Sequence, residues 1–126
     1  MTTLTEGQHT AEFIVSEANG KRSREVVSVG GSASHPAGTI LHNDSGTYIP
    51  LAVTEDTPDT ITDADAVLYA ATDATGGAVD AVVIARDAEV NWAELVYPGD
   101  ADTSSDSADL IADIKANLAL AGIIVR

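Results

Sequence analysis

The apolar residues of this chain arrive in short β-branched runs broken by turn residues, and only one stretch repeats at helical spacing. A chain patterned this way is confined to a body of short strands with a single helix. Glu25-Val26-Val27-Ser28-Val29 reads as a strand that Gly30-Gly31-Ser32 ends, and His35-Pro36-Ala37-Gly38 is a second turn signal. Thr39-Ile40-Leu41 and Tyr48-Ile49 flank Asn43-Asp44-Ser45-Gly46, which has the composition of a hairpin loop. Pro50 has no N–H for a ladder and marks an edge or a strand end. Ala66-Val67-Leu68-Tyr69-Ala70-Ala71 predicts a buried strand, Gly76-Gly77 a turn, and residues 80–86 the strongest strand of all. Ala88 to Val96 fits helix and strand equally well.

The helix is the one element with a 3.6-residue stripe: Leu110, Ile111, Ile114, Leu118 and Ala121. Asp100, Asp102, Asp106 and Asp109 place negative charge around its start, where the helix dipole favours it. Ser105 or Ser107 supplies the N-cap oxygen. Gly122 is placed to end the helix in the left-handed conformation, and Ile123-Ile124-Val125 forms a last short strand.

The core available to these elements is lean. Of the 126 residues, 21 are Ala and only five are aromatic: Phe13, Tyr48, Tyr69, Trp92 and Tyr97. A body with so few large side chains gains from contacts between subunits, so composition favours an oligomer. There is no cysteine, which excludes a disulfide framework, a thiolate zinc site and a cysteine nucleophile. No apolar run approaches the roughly 20 residues that span a bilayer. The start, Met1-Thr2-Thr3-Leu4-Thr5-Glu6, lacks the basic and apolar regions of a Sec-type signal.

Charge divides the chain. Acidic residues number 20 and basic ones 6, a net of −14. That balance argues against nucleic acid and against an anionic membrane surface as partners. Half of the basic side chains, Lys21, Arg22 and Arg24, fall within four positions, and the segment around them is otherwise Thr-, Glu- and Gly-rich. Residues 1–25 therefore read as an N-terminal arm, disordered when free, and residues 26–126 as a single domain.

No catalytic constellation is present. His9, His35 and His42 lack metal-ligand spacing, and no phosphate-binding glycine loop occurs. Gly30-Gly31-Ser32-Ala33-Ser34 fails as a nucleophile elbow because position 34 is Ser and no strand–turn–helix frame follows. Two acidic loops, 54–65 and 99–107, raise the question of calcium. Asp100 to Ser107 has alternating oxygens but lacks the turn glycine and late glutamate of a calcium loop. Asn43-Asp44-Ser45 matches a glycosylation sequon that the turn already explains. The expectation is no enzyme, no cofactor and no metal. A second reading, an acidic extracellular or fibre-type binding module with calcium as ligand, rests on the acidic loops.

Several stretches, in order, resemble the lambda-type head decoration proteins of tailed bacteriophages. They are Gly38-Thr39-Ile40-Leu41, Gly46-Thr47-Tyr48-Ile49-Pro50-Leu51, Ala66-Val67-Leu68-Tyr69 and Ala81 to Val90. Leu95-Val96-Tyr97-Pro98 and Leu118 to Arg126 complete the set. The resemblance spans residues 37–126; the arm and the two acidic loops carry no matching motif. With it, the fold expected is α+β: a compact, mostly-β domain of short strands, small-barrel or tulip-like, with one C-terminal helix and a flexible N-terminal arm.

The resemblance implies a non-enzymatic homotrimer on the outer surface of the virion capsid. It would be made in the bacterial cytoplasm and bound to the major capsid protein at local three-fold positions, bracing the mature head against packaged DNA. Within that reading, the arm residues Phe13, Ile14, Val15, Lys21, Arg22, Arg24, Val26 and Val27 are the candidate capsid contacts. The apolar ones add as a strand to capsid backbone and the cations meet capsid acids. Tyr48, Trp92 and Tyr97 are the large side chains expected at the trimer interface, with intra-subunit core as the alternative place for each.

Overall fold

The computed structural model describes residues 9–54, 60–98 and 107–126. In chain order the strands are β1 (Ile14–Glu17), β2 (Arg24–Val29), β3 (Ser34–His35), β4 (Ile40–Asp44), β5 (Thr47–Pro50), β6 (Val53–Thr54), β7 (Thr60–Ile61), β8 (Ala66–Leu68), β9 (Thr72–Asp73), β10 (Val79–Ile84), β11 (Ala88–Val90) and β12 (Ile123–Val125). The helix α1 (Ser107–Leu120) precedes β12. The body is thus α+β, mostly short strands with a C-terminal helix, as the periodicity predicts.

Five strands close a barrel in the order β10-β2-β5-β4-β8. β1, β11 and β12 form a separate three-stranded sheet in the order β1-β11-β12, and two-residue ladders join β3 to β9 and β6 to β7. Successive side chains of a strand point to opposite faces. In the barrel one set of side chains fills the interior, and the alternate set faces either the main core or the outer surface. Leu41, Ala66, Leu68 and Val83 fill the barrel interior with Val29. Their neighbours Ile40, Val67 and Ile84 point outward into the main core with Phe13, Val90, Ile114, Leu118 and Ile123. That second layer lies between the barrel wall, α1 and the three-stranded sheet.

Local signals account for the turns. Ser45 and Gly46 both have positive φ, 53° and 99°, the pattern of a two-residue type I′ hairpin. The Gly46 N–H donates to the Asn43 side chain at 2.8 Å. Pro50 ends β5. In α1, Leu110, Ile114 and Leu118 are buried at i, i+4 spacing, and Gly122 follows with φ +85°. The ambiguous stretch 88–96 divides: β11 comes first, then a 3-10 turn, Trp92–Glu94, whose Ala93 N–H is capped by the Asn91 side chain at 3.1 Å.

Part of the N-terminal segment lies against the body. Phe13 is 1% exposed and sits in the main core, β1 pairs antiparallel with β11, and β2 starts at Arg24. Phe13, β1 and the start of β2 are therefore held on the body. The cause is one aromatic side chain: in a core this lean, burying a Phe outweighs the ordering of the polar residues around it. Residues 1–8 lie outside the described residues. So do positions 55–59 of the first acidic loop and 99–106 of the second, and with them the Ser105 cap and the calcium-loop reading.

Candidate functional site

The surface around the basic cluster is built by a turn. Between β1 and β2 the chain turns through residues 20–23, and Ser23 fastens the turn. Ser23 is fully buried; its Oγ donates to the Asp87 carbonyl at 2.8 Å and accepts the Ala18 N–H at 3.0 Å. The Ala85 N–H donates to the Ser23 carbonyl at 2.8 Å. Lys21, Arg22 and Arg24 are displayed around this staple.

The three cations are not equivalent. Arg22 pairs with Asp87 at 3.2 Å. Arg24 donates to Glu17 through Nε at 3.1 Å and lies 4.5 Å over the Tyr69 ring. The Glu17 hydrogen bond holds its guanidinium more firmly protonated than usual. Lys21 is exposed and forms no ion pair among the described residues. Arg86, from the turn after β10, meets Glu25 at 2.7 Å. Beside the cluster runs a groove of about 280 Å³ lined by Lys21, Arg24, Glu25, Val26, Tyr69 and Val82.

The remaining arm residues divide by depth. Phe13 is committed to the core, Ile14 packs against it, and Val15 is 54% exposed. Val26 is 65% exposed, whereas Val27 packs on the barrel interior. The structure thus brings Lys21, Arg24 and Val26 to one groove, and places Val15 on the outer strand of the three-stranded sheet.

The aromatic residues fall in two places. Tyr48 is half-buried against the barrel cluster, and burial first, then the nearby Glu25 carboxylate, raises its hydroxyl pKa. Trp92 and Tyr97 stack with centroids 4.6 Å apart, and the Lys115 ammonium sits 4.8 Å over Trp92. Both rings pack against the main core while keeping part of their area exposed. A second groove of about 220 Å³ opens beside Tyr97 between Pro36, Pro50, Leu51 and Pro98.

The histidines serve structure. His35 Nε2 is 2.7 Å from the Gly30 carbonyl. His42 Nδ1 is 3.0 Å from the Asp63 carbonyl and 3.3 Å from the Asp65 carboxylate, so it carries a proton when it donates to either. Among the described residues no three His, Asp or Glu side chains gather at metal-binding geometry, and no helix is long and apolar enough to cross a membrane.

Sequence reasoning missed two polar centres. One is Ser23, which no motif marks. The other is on the outer face of the three-stranded sheet: Glu89 accepts the Ser16 hydroxyl at 2.6 Å and the Arg126 Nε at 2.9 Å. The Ser16 hydrogen bond and then Arg126 hold the Glu89 carboxyl below its ordinary range. A signal existed only in the strand alternation, which puts Ser16 and Glu89 on one face once β1 and β11 are known to pair.

Barrel, added sheet and helix define a small strand-rich domain with exposed apolar side chains and unpaired charges on its outer surface. The chain belongs to the bacteriophage lambda head decoration protein D family, which it matches over residues 3–119. The match reaches back to residue 3, so the N-terminal segment belongs to the family region together with the barrel. No curated protein matches the chain. By family it is a phage head decoration protein, a structural component on the outside of the capsid, and the family is not one of enzymes.

Proposed function

We propose that this chain works as a homotrimer on the outer surface of the mature phage head. It is made in the bacterial cytoplasm, binds the major capsid protein at local three-fold positions of the expanded shell, and braces it against packaged DNA. It makes and breaks no bond. The observation that carries this reading is the family match over nearly the whole chain.

The geometry supports a specific division of labour. β1 is, with β12, an outer strand of its sheet, so one row of its backbone groups faces away from β11, on the side where a capsid strand would add. Ile14 and Val15 lie on that edge, with Phe13 as the anchor that holds it to the body. Lys21, Arg22 and Arg24 sit near it and supply positive charge to a capsid acid. Val26 offers exposed apolar area and Val27 supports it from within. Tyr48, Trp92 and Tyr97 keep exposed area for neighbouring copies. Three copies held together multiply modest individual affinities through effective concentration.

The test is to mix purified protein with empty expanded heads and count what binds. Saturation in multiples of three, with raised resistance of the heads to heat, is the expected result. Heads that stay bare at micromolar protein would remove the reading. Cutting residues 1–24 also removes Phe13 and β1, so the arm is tested by cutting residues 1–8 alone. Undiminished decoration by that variant takes those residues out of the mechanism and leaves β1 in it.

A further inference from the structure

The most exposed large apolar side chain among the described residues is Leu120, 88% exposed at the end of α1. Beside it lie Asp63 and Asp65, and together they flank a shallow recess. The Asp63 carboxylate touches only the Asn117 amide, at 3.5 Å, and meets no cation among the described residues. This knob, apolar with an acidic rim, has a counterpart elsewhere on the molecule. The groove at Val26 and Tyr69 is apolar, rimmed by Lys21, Arg24 and a Glu25 already paired with Arg86, and its Lys21 is likewise without an ion pair.

We propose that Leu120 of one copy seats in the Val26–Tyr69 groove of the next, with Asp63 facing Lys21. The inference rests on the trimer reading and names its contact. Charge complementarity selects a second copy as occupant: the chain carries 20 acids against 6 bases, so its few free cations find their complement on another molecule of the same kind. Topology then limits the symmetry. Asp65 directly precedes β8 and Tyr69 directly follows it, so the two patches lie at opposite ends of that strand, on the order of 13 Å apart along it. One copy cannot satisfy itself, and neither patch is self-complementary. Two complementary patches on one molecule pair either reciprocally across a two-fold axis or head-to-tail, and the trimer reading selects the head-to-tail ring. Lys21 and Val26 are then committed to the neighbouring copy, Arg22 and Arg24 keep their pairs with Asp87 and Glu17, and the capsid is met by β1.

The chain has no cysteine, so the contact can be trapped selectively. Val26→Cys and Leu120→Cys are combined in one chain and treated with a short bis-maleimide, both on expanded heads and free at high concentration. The expected product is a covalent trimer. Neither single variant should link to itself. Asp63→Lys should lower the trimer yield several-fold, and Lys21→Glu on the same chain should restore it. Decoration by the double cysteine variant without covalent trimers overturns the contact and leaves the trimer reading standing. Self-linking of Leu120→Cys alone overturns it too, because that contact would be two-fold. If wild-type protein does not decorate heads, the trimer reading falls, and the free sample decides: covalent trimers support the contact and their absence overturns it.

Discussion

Single residues decide how the N-terminal segment is held. Phe13 is the only phenylalanine and lies fully in the main core. Phe13→Ala leaves a cavity that this Ala-rich core cannot refill, at a cost of about 3–5 kcal/mol; urea unfolding read by Trp92 fluorescence should show the midpoint fall accordingly. Ser23→Ala removes the hydroxyl's bonds to the Asp87 carbonyl and the Ala18 N–H, which keep their direct 3.2 Å bond to each other, a loss of about 0.5–1.5 kcal/mol, measurable in the same way. Glu89 tests the electrostatics. Its folded-state pKa is depressed, chiefly by the Ser16 hydroxyl, so its contribution is present above the ordinary carboxylate range and lost as pH falls through the lower folded value. Ser16→Ala should shrink that loss, so the variant's stability depends less steeply on pH in the acid limb. An unchanged acid limb would assign the depression to Arg126 instead.

Among elements, the hairpin of β4 and β5 was legible because Asn43-Asp44-Ser45-Gly46 contains its own turn chemistry, and α1 because a stripe recurs in it. The sheet of β1, β11 and β12 was not. β11 pairs with β1 across more than seventy positions and lies parallel to β12, and nothing local in any of the three specifies those partners. The end of α1 joins both kinds of information. Gly122 has φ +85°, and a Cβ there would lie 3.2 Å from the Asp87 backbone nitrogen. Gly122→Ala therefore meets backbone strain of about 1–2 kcal/mol and a close approach as well; a drop in melting temperature larger than that of the exposed control Ala119→Gly is the expected outcome. The same junction holds the Ser23 staple, so the two variants should be non-additive.

The whole molecule carries a charge of −14, and four of its six cations, Arg22, Arg24, Arg86 and Arg126, are held in ion pairs. Self-repulsion on this scale opposes compaction, so moderate salt should raise the melting temperature until screening saturates, a trend read directly by thermal scans across ionic strength. By itself the sequence determined the class of fold, the turns, the helix and the family, because strand and helix periods, turn residues and composition act over a few neighbouring positions. It also gave the basic cluster as a cluster. What only the tertiary structure decided was which of those residues remained available. Phe13 is committed to the core, Arg22 and Arg24 to Asp87 and Glu17, and Lys21, Val26 and Leu120 are left exposed. Burial and pairing are set by residues far apart in the chain, and the free energy of closing those long loops is recovered only when the barrel, the added sheet and α1 come together at once.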